Sequence, residues 1–331
     1  MLSTQQIKDT LLDPTLTLRP AQWMDVDAVA QLILDVCTSD GDPTVAVTPQ
    51  ELERFWKKPG FTLEKDAFVV ETSDGRIVGY EEFEDNQGHA ILGGDGYVHP
   101  DFLGRGIGTT LLRALDVRAR EEMQLAEPDL RVFIRNGMAI GDTVAREMHE
   151  AEDYKPIRFS WRMEITLDGA PPVAKFPDGI ELRPFEMVHD EVVYEAHEEA
   201  FSDHWGHVSR SYEDWKHRFS EREPSLWFIA WDGDQVAGYS LCRFRMGIGW
   251  VGTLGVRRAW RKRGLGEALL LHSFAEFHRR GMQTIGLGVD AANPTGATRL
   301  YQKAGMKVAA EYVIYEKELR PGRDPEQDEG E

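Results

Sequence analysis

The 331-residue chain contains only two cysteines, Cys37 and Cys242. That excludes a disulfide framework and a cysteine-ligated zinc site, and no metal is expected. No apolar run reaches the roughly 20 residues that a membrane-crossing helix needs, so no membrane partner is expected. The stretch Met1 to Lys8 lacks a basic region followed by an apolar one, so no secretory signal is read and the expected compartment is the cytoplasm. Positive charge is also short. Lys and Arg number 38 against 57 Asp and Glu, a formal net charge of −19. Nucleic-acid affinity rests on neutralising phosphates with Lys and Arg, so DNA and RNA are not expected partners. The acidity is compatible with a cationic substrate, though it serves solubility equally well.

What is present is an ordinary globular balance, with 41% hydrophobic and 29% charged residues. The length suits two cores of roughly 150 residues each. The chain also repeats itself. Leu18-Arg19-Pro20 recurs as Leu182-Arg183-Pro184. Phe68-Val69-Val70 through Gly79-Tyr80 is mirrored by Trp227-Phe228-Ile229 through Gly238-Tyr239. Gly106-Ile107-Gly108 is mirrored by Gly264-Leu265-Gly266. The offsets of 164, 159 and 158 residues keep the same order, the mark of two copies of one domain. A Pro/Gly-rich stretch from Asp168 to Gly179 reads as the linker, with the boundary at about 168–178. Domains are therefore expected at 1–167 and 178–320. The acidic tail 321–331 lacks apolar residues and reads as disordered.

Each copy reads as mixed α/β. In the second, Ile180–Leu182 forms a short strand and residues 187–219 a helical region. Trp227–Trp231 and Val236–Arg243 form paired strands turning at Asp232-Gly233-Asp234. A strand at Trp250–Val256 is followed by a helix over Leu265–Arg280, with Gly281 as its C-terminal stop. Ile285, Leu287 and Val289 alternate as a further strand, and Pro294–Ala304 forms a last helix. Leu130, Val132 and Ile134 are the equivalent late strand of the first copy.

The strand–loop–helix at 250–280 carries the chemistry. A helix N-terminus has unpaired N–H groups and a partial positive charge, which suit an anion. Gly264 and Gly266 let a phosphate approach the backbone. Arg257, Arg258, Arg261, Lys262 and Arg263 surround them, five basic residues within seven positions of an acidic chain. A pyrophosphate with an additional ribose phosphate suits that cluster. Neither the Gly-x-Gly-x-x-Gly nor the Gly-Lys-Ser/Thr pattern is present, which disfavours dinucleotides and nucleoside triphosphates.

Arg261-x-x-Gly264-x-Gly266 resembles the Gln/Arg-x-x-Gly-x-Gly/Ala motif of the GNAT acetyltransferase superfamily. Leu254-Gly255-Val256 resembles its bulged central strand. Val289-Asp290-Ala291-Ala292-Asn293 through Leu300-Tyr301-Gln302-Lys303-Ala304-Gly305-Met306 resembles its last motif. The resemblance covers residues 178–318 well and 14–167 more loosely. It implies two tandem GNAT-like domains, each a central, mostly antiparallel sheet flanked by helices. It further implies transfer of an acetyl or similar acyl group from acyl-CoA to a primary amine by direct attack in a ternary complex. Acetyl-CoA would be the co-substrate.

By that resemblance, Leu254, Gly255, Val256, Arg261, Lys262, Arg263, Gly264, Leu265, Gly266, Glu267 and Asn293 bind CoA. The Val256 N–H would receive the thioester carbonyl and stabilise the oxyanion. Tyr301 would be the general acid. A phenol near pKa 10 keeps its proton at neutral pH and can protonate a leaving thiolate of pKa about 8.5. Asn293 before Pro294 also reads as a helix cap.

A lysine-like amine of pKa about 10.4 must lose a proton before it attacks. Many family members use a carboxylate on the central strand for this, but Trp250-Val251-Gly252-Thr253 offers none. Glu198, Glu199, Asp203, His204 and His207 are the alternatives. Trp205, Tyr212 and Trp215 are candidates for lining an acceptor pocket. In the first copy, Gly104, Gly106 and Gly108 persist, but Leu103 stands where the motif has Gln or Arg, and Asn136-Gly137 and Met148-His149 offer no tyrosine at the matching position. That copy reads as degenerate. The competing reading for the whole chain is a non-catalytic acyl-CoA sensor or scaffold. The sequence leaves the amine acceptor, small molecule or peptide, and the oligomeric state undetermined.

Overall fold

The computed structural model describes residues 12–326 except 208, 210, 220–222 and 294. The signal-peptide reading at residues 1–8 and Pro294 lie outside the described residues. Among the described residues no helix is long and apolar enough to cross a membrane. The chain divides into two compact units, each built around one sheet. Unit 1 comprises Met1–Arg158 and Tyr312–Glu331, and unit 2 comprises Phe159–Glu311.

In unit 1 the strands are β1 (Leu16–Pro20), β2 (Ala67–Thr72), β3 (Ile77–Gln87), β4 (Ile91–Val98) and β5 (Val132–Ala139). The last strand beside β5 is the C-terminal part of β12 (Lys307–Arg320). The helices are α1 (Val26–Ser39), α2 (Pro49–Trp56), α3 (Leu63–Asp66), α4 (Ile107–Glu122) and α5 (Thr143–Ala151). In unit 2 the order is β7 (Ile180–Pro184), β8 (Trp227–Asp232), β9 (Gln235–Arg245), β10 (Ile248–Val256), β11 (Thr284–Asp290) and then β6 (Lys155–Thr166). Its helices are α6 (Asp190–Phe201), α7 (Tyr212–Arg218), α8 (Leu265–Arg279) and α9 (Ala297–Lys303). Neighbouring strands run antiparallel within each unit except β4–β5 and β10–β11, which are parallel.

The register repeats as closely as the sequence. Pro20 pairs with Phe68 as Pro184 pairs with Phe228, and Gly79 pairs with Val98 as Gly238 pairs with Val256. The units are nevertheless not the contiguous halves 1–167 and 178–320. Residues 167–179 carry no helix or strand, as a linker should, but the strands flanking the expected boundary cross over. Residues 160–166 of β6 pair with β11 in unit 2, and β12 completes unit 1 by pairing with β5. Tail residues 321–326 are also ordered on unit 1. Arg323 exchanges backbone bonds with Arg131 and Asp129 at 2.8 Å each, and Glu326 pairs with Arg135. Residues 327–331 lie outside the described residues.

Alternation in β8 explains the layering of unit 2. Trp227, Ile229 and Trp231 face α6 and α7 with Val193, Ala196 and Trp215, whereas Ala230 faces α8 with Leu265 and Leu269. The helical region expected over 187–219 is broken in two. Gly206 takes φ 67°, and Ser211 caps α7 by accepting from the Asp214 N–H at 3.2 Å.

One close helix–sheet approach falls at Gly238. A Cβ there would lie 2.9 Å from the Gly255 carbonyl oxygen and 3.2 Å from Leu265 and Leu269. In unit 1 the equivalent Gly79 would set a Cβ 2.5 Å from Ile107. A Gly238→Ala variant is therefore expected to lose about 1–3 kcal/mol of stability by overpacking, measured by denaturant unfolding. An unchanged midpoint would show that α8 has room to retreat.

Candidate active site

The site begins with an irregularity in β10. Its register with β9 steps from Val251–Cys242 to Thr253–Leu241, so Gly252 is an extra residue, and the strand bends there. On the other side β10 pairs with β11 only at Gly249 and Trp250. From Thr253 onward the two strands part. The Arg257 N–H bonds to the Ala237 carbonyl of β9 at 3.1 Å. Strand alternation then turns the N–H groups of Val256 and Leu254 to the side β11 has left. Gly255 is held under the Tyr239 ring, since a Cβ there would lie 2.3 Å from the phenol oxygen.

The chain then enters the loop ahead of α8. Lys262 has φ 63° and Gly264 has φ 86°, both left-handed, and Gly264 is the helix N-cap with no side chain bonded over it. The first N–H groups of α8 are thereby left facing outward, as an anion site requires. Leu265 is buried and Gly266 lies against Leu300 and Val256.

The basic cluster divides into two sets. Arg257 pairs with Glu199 at 2.5 Å, and Arg258 meets Asp203 at 2.6 Å. Arg261 donates to the carbonyl oxygens of Val256 at 3.1 Å and Ala200 at 2.9 Å, and to Asp203 at 3.1 Å. These three arginines tie the loop to the C-terminal end of α6. The Asp203 carboxyl is held below the usual range by its hydrogen bonds from Arg258 and Arg261. Lys262 and Arg263 are exposed, and among the described residues neither has a carboxylate partner. They remain as the cations available to a phosphate. Glu267 is paired with Lys303 of α9 at 2.6 Å.

Asn293 is not the cap of the last helix. Helix α9 starts at Ala297 with Gly296, at φ 81°, as its N-cap. The Asn293 Oδ1 instead accepts from the Thr295 N–H at 2.8 Å, closing a turn between β11 and α9. Tyr301 projects from α9 into the core cluster of Leu287, Val289 and Met306 and is 7% exposed. Burial pushes its phenol up to about 12. Among the described residues no side chain bonds its hydroxyl.

The remaining candidates separate by their partners. Glu199 and Asp203 are engaged by the loop arginines. Trp215 is a core residue and Tyr212 packs partly buried against that core, both anchored on Asp190, with the indole donating at 3.1 Å. His204 is held neutral to lower pH by burial, with Arg261 and His207 acting in the same direction. Glu198 stands 3.5 Å from His207.

Unit 1 repeats the frame with different chemistry. Gly104 and Gly106 are left-handed ahead of α4, and β4 parts from β5 after Gly94. Helix α5 sets His149 at the register of Tyr301. The Tyr154 N–H bonds to the His149 carbonyl at 2.9 Å, as the Met306 N–H bonds to that of Tyr301 at 3.0 Å. The left-handed residue in that turn is Asp153 in one copy and Gly305 in the other, so the structure agrees with the sequence in setting His149 opposite Tyr301. Burial lowers the His149 pKa. A cavity of about 280 Å³ lies on the Asp95 face of the sheet, lined by Glu82, Glu84, Asn86, Asp95 and Arg135 among others. Burial pushes the Asp95 carboxyl up to about 6. The three potential metal ligands that converge, Asp85, His89 and Glu122, are already satisfied. His89 Nδ1 meets Glu122 at 2.5 Å and Asp85 at 3.0 Å, and Arg118 meets Glu122 at 2.7 Å.

Residues 191–306 match the acetyltransferase (GNAT) family, and residues 64–141 match an acetyltransferase (GNAT) domain. The chain belongs to the GNAT acetyltransferase family, in tandem two-domain form, and is an acetyl-CoA-dependent N-acetyltransferase by class. Within that family it is similar to mycothiol acetyltransferases (mycothiol synthases). The protein of that name from Thermobispora bispora is 34% identical over 233 residues, 67% of this chain and 75% of the relative. That from Geodermatophilus obscurus is 29% identical over 293 residues, 85% and 90% of the two chains. The crystal structure of a GCN5-related N-acetyltransferase from Sphaerobacter thermophilus superposes with a TM-score of 0.81 at 36% identity, covering 95% of this chain and 99% of that one. A tandem GNAT protein from the clavulanic acid biosynthesis pathway shares the fold, with a TM-score of 0.68 at 17% identity over 93% and 100%.

Replacing Arg261 removes three donors that hold the loop, and bonds of this charged kind contribute about 1.5–3 kcal/mol each. Arg261→Ala is therefore expected to weaken acetyl-CoA binding by about tenfold or more in calorimetry. Its melting temperature should fall as well. Lys262→Ala should weaken binding with the melting temperature unchanged, because that side chain holds nothing else. Equal melting temperatures in the two variants would refute the division of the cluster.

Proposed function

We propose that unit 2 transfers the acetyl group of acetyl-CoA to the primary amine of a small, mycothiol-related molecule, by direct attack in a ternary complex. The observation that carries this reading is the uncapped N-terminus of α8, flanked by Lys262 and Arg263 and adjoining the parted end of β10. Pyrophosphate oxygens suit the N–H groups from Gly264 to Glu267 and the two free cations. The pantetheine arm suits the open edge of β10 at Leu254–Val256, with the Val256 N–H receiving the thioester oxygen as charge develops on it. Asn293, whose side chain shapes the turn ahead of α9, borders the same arm. The acceptor assignment rests on the relatives' name and on the acidity of the chain.

In the reaction the amine nitrogen forms a bond to the thioester carbon, and the carbon–sulfur bond breaks as the tetrahedral intermediate collapses. The leaving thiolate takes the Tyr301 proton, and the phenolate is restored by the proton still on the new amide nitrogen. A phenol at about 12 keeps its proton through the whole working range. Tyr301 therefore contributes no alkaline limb to the rate below about pH 10.

Tyr301→Phe is expected to lower kcat by about 100-fold or more, with acetyl-CoA affinity unchanged within twofold. The assay is thiol release with a panel of amines that includes mycothiol-type acceptors. A wild-type protein that binds acetyl-CoA but releases no thiol with any amine would favour the sensor reading. A Tyr301→Phe variant keeping half the wild-type rate would remove Tyr301 from the role of general acid.

A further inference from the structure

We infer that Glu198 is the carboxylate that receives the acceptor's ammonium group and takes its proton. This rests on the acetyl-transfer reading of unit 2 and supplies the base that β10 lacks. The Oε2 atom of Glu198 is buried and has no hydrogen-bond partner. A buried carboxylate oxygen left unmatched is costly, so such an atom marks a place for a donor. The two neighbouring acids on α6 and its C-terminal extension, Glu199 and Asp203, are consumed by loop arginines. Glu198 is left over on the same turn.

Its surroundings point to the reacting carbon. The Glu198 charge helps raise the Tyr239 phenol, which burial has already pushed up, and the Tyr239 hydroxyl lies directly over Gly255. The next residue is Val256, whose N–H faces the thioester. Glu199, the next residue, accepts from Arg257 at 2.5 Å and from the Arg258 N–H at 3.2 Å, just past Val256, so this turn of α6 lies beside the end of β10. The groups facing it are His207 at 3.5 Å, Tyr239, and Tyr194, whose phenol the same charge helps raise. Among the described residues no lysine or arginine pairs with Glu198, and His207 is the one facing group that can carry a positive charge, so a substrate ammonium competes with that imidazole alone. His207, 18% exposed in its side chain, gives the proton a route to solvent.

The protons balance. The ammonium gives one to Glu198, which passes it through His207 to water, and the neutral amine attacks. The proton exchange through Tyr301 is internal to the site. The net release is one proton per acetyl group transferred.

The test is the pH dependence of kcat/KM for a primary amine, in the wild type, Glu198→Gln and Glu198→Asp. Glu198→Gln is expected to lose about 100-fold at pH 7. The deficit should shrink by about tenfold per pH unit as more free amine becomes available, while acetyl-CoA affinity and the melting temperature stay put. Glu198→Asp should recover part of the rate. A Glu198→Gln rate within twofold of wild type at pH 7, or a deficit equal at every pH, overturns the assignment while leaving the acetyl-transfer reading intact. A wild type inactive with all amines overturns both.

Discussion

The geometry of unit 2 depends on how closely α8 can lie on its sheet. Gly238 has no side chain, so Leu265 and Leu269 settle directly over β9 and the Gly255 carbonyl. That contact fixes the first turn of α8 beside the end of β10. Gly264, in the left-handed region, lets the chain turn into the helix without covering its N–H groups. An anion-binding helix end and an unpaired strand edge then lie in sequence along one ligand path. Gly79 with Ile107 builds the same frame in unit 1, so the frame is a property of the fold, and chemistry is laid upon it separately in each copy.

Charge is apportioned within this frame. The chain is strongly acidic, yet its densest basic segment adjoins α8. Three of its five cations are used internally, because α6 presents Glu199 and the residues after it present Asp203. Part-exposed pairs of this kind contribute modestly to overall stability. Their effect here is positional: they hold the loop in the form that leaves Lys262 and Arg263 free. The same pairing removes Glu199 and Asp203 from acid–base chemistry and isolates Glu198.

The two copies have diverged in the groups that touch chemistry. His149 stands at the register of Tyr301, and Asp95 and Glu82 occupy strand positions where unit 2 has Thr253 and Leu241. A histidine kept neutral by burial cannot serve as an acid in the manner of a phenol. The family membership therefore covers both units, while the equipment proposed for transfer lies in unit 2.

The sequence by itself determined the repeat, the family, and the strand–loop–helix frame that carries Gly264 and Gly266. These are local matters: glycine spacing, alternation and short motifs are written in neighbouring residues. It did not determine which sheet the strands 155–166 and 307–320 complete. Both copies present similar edges, so alternation marks a strand without naming its partner, and only tertiary pairing decided the exchange. Nor could it tell a free cation from a clamped one. Arg261 and Lys262 are adjacent in sequence, but one meets α6 about 60 residues away and the other meets solvent. Pairing likewise separated Glu198 from Glu199, because which face of a helix meets a charged loop is settled by packing and not by spacing.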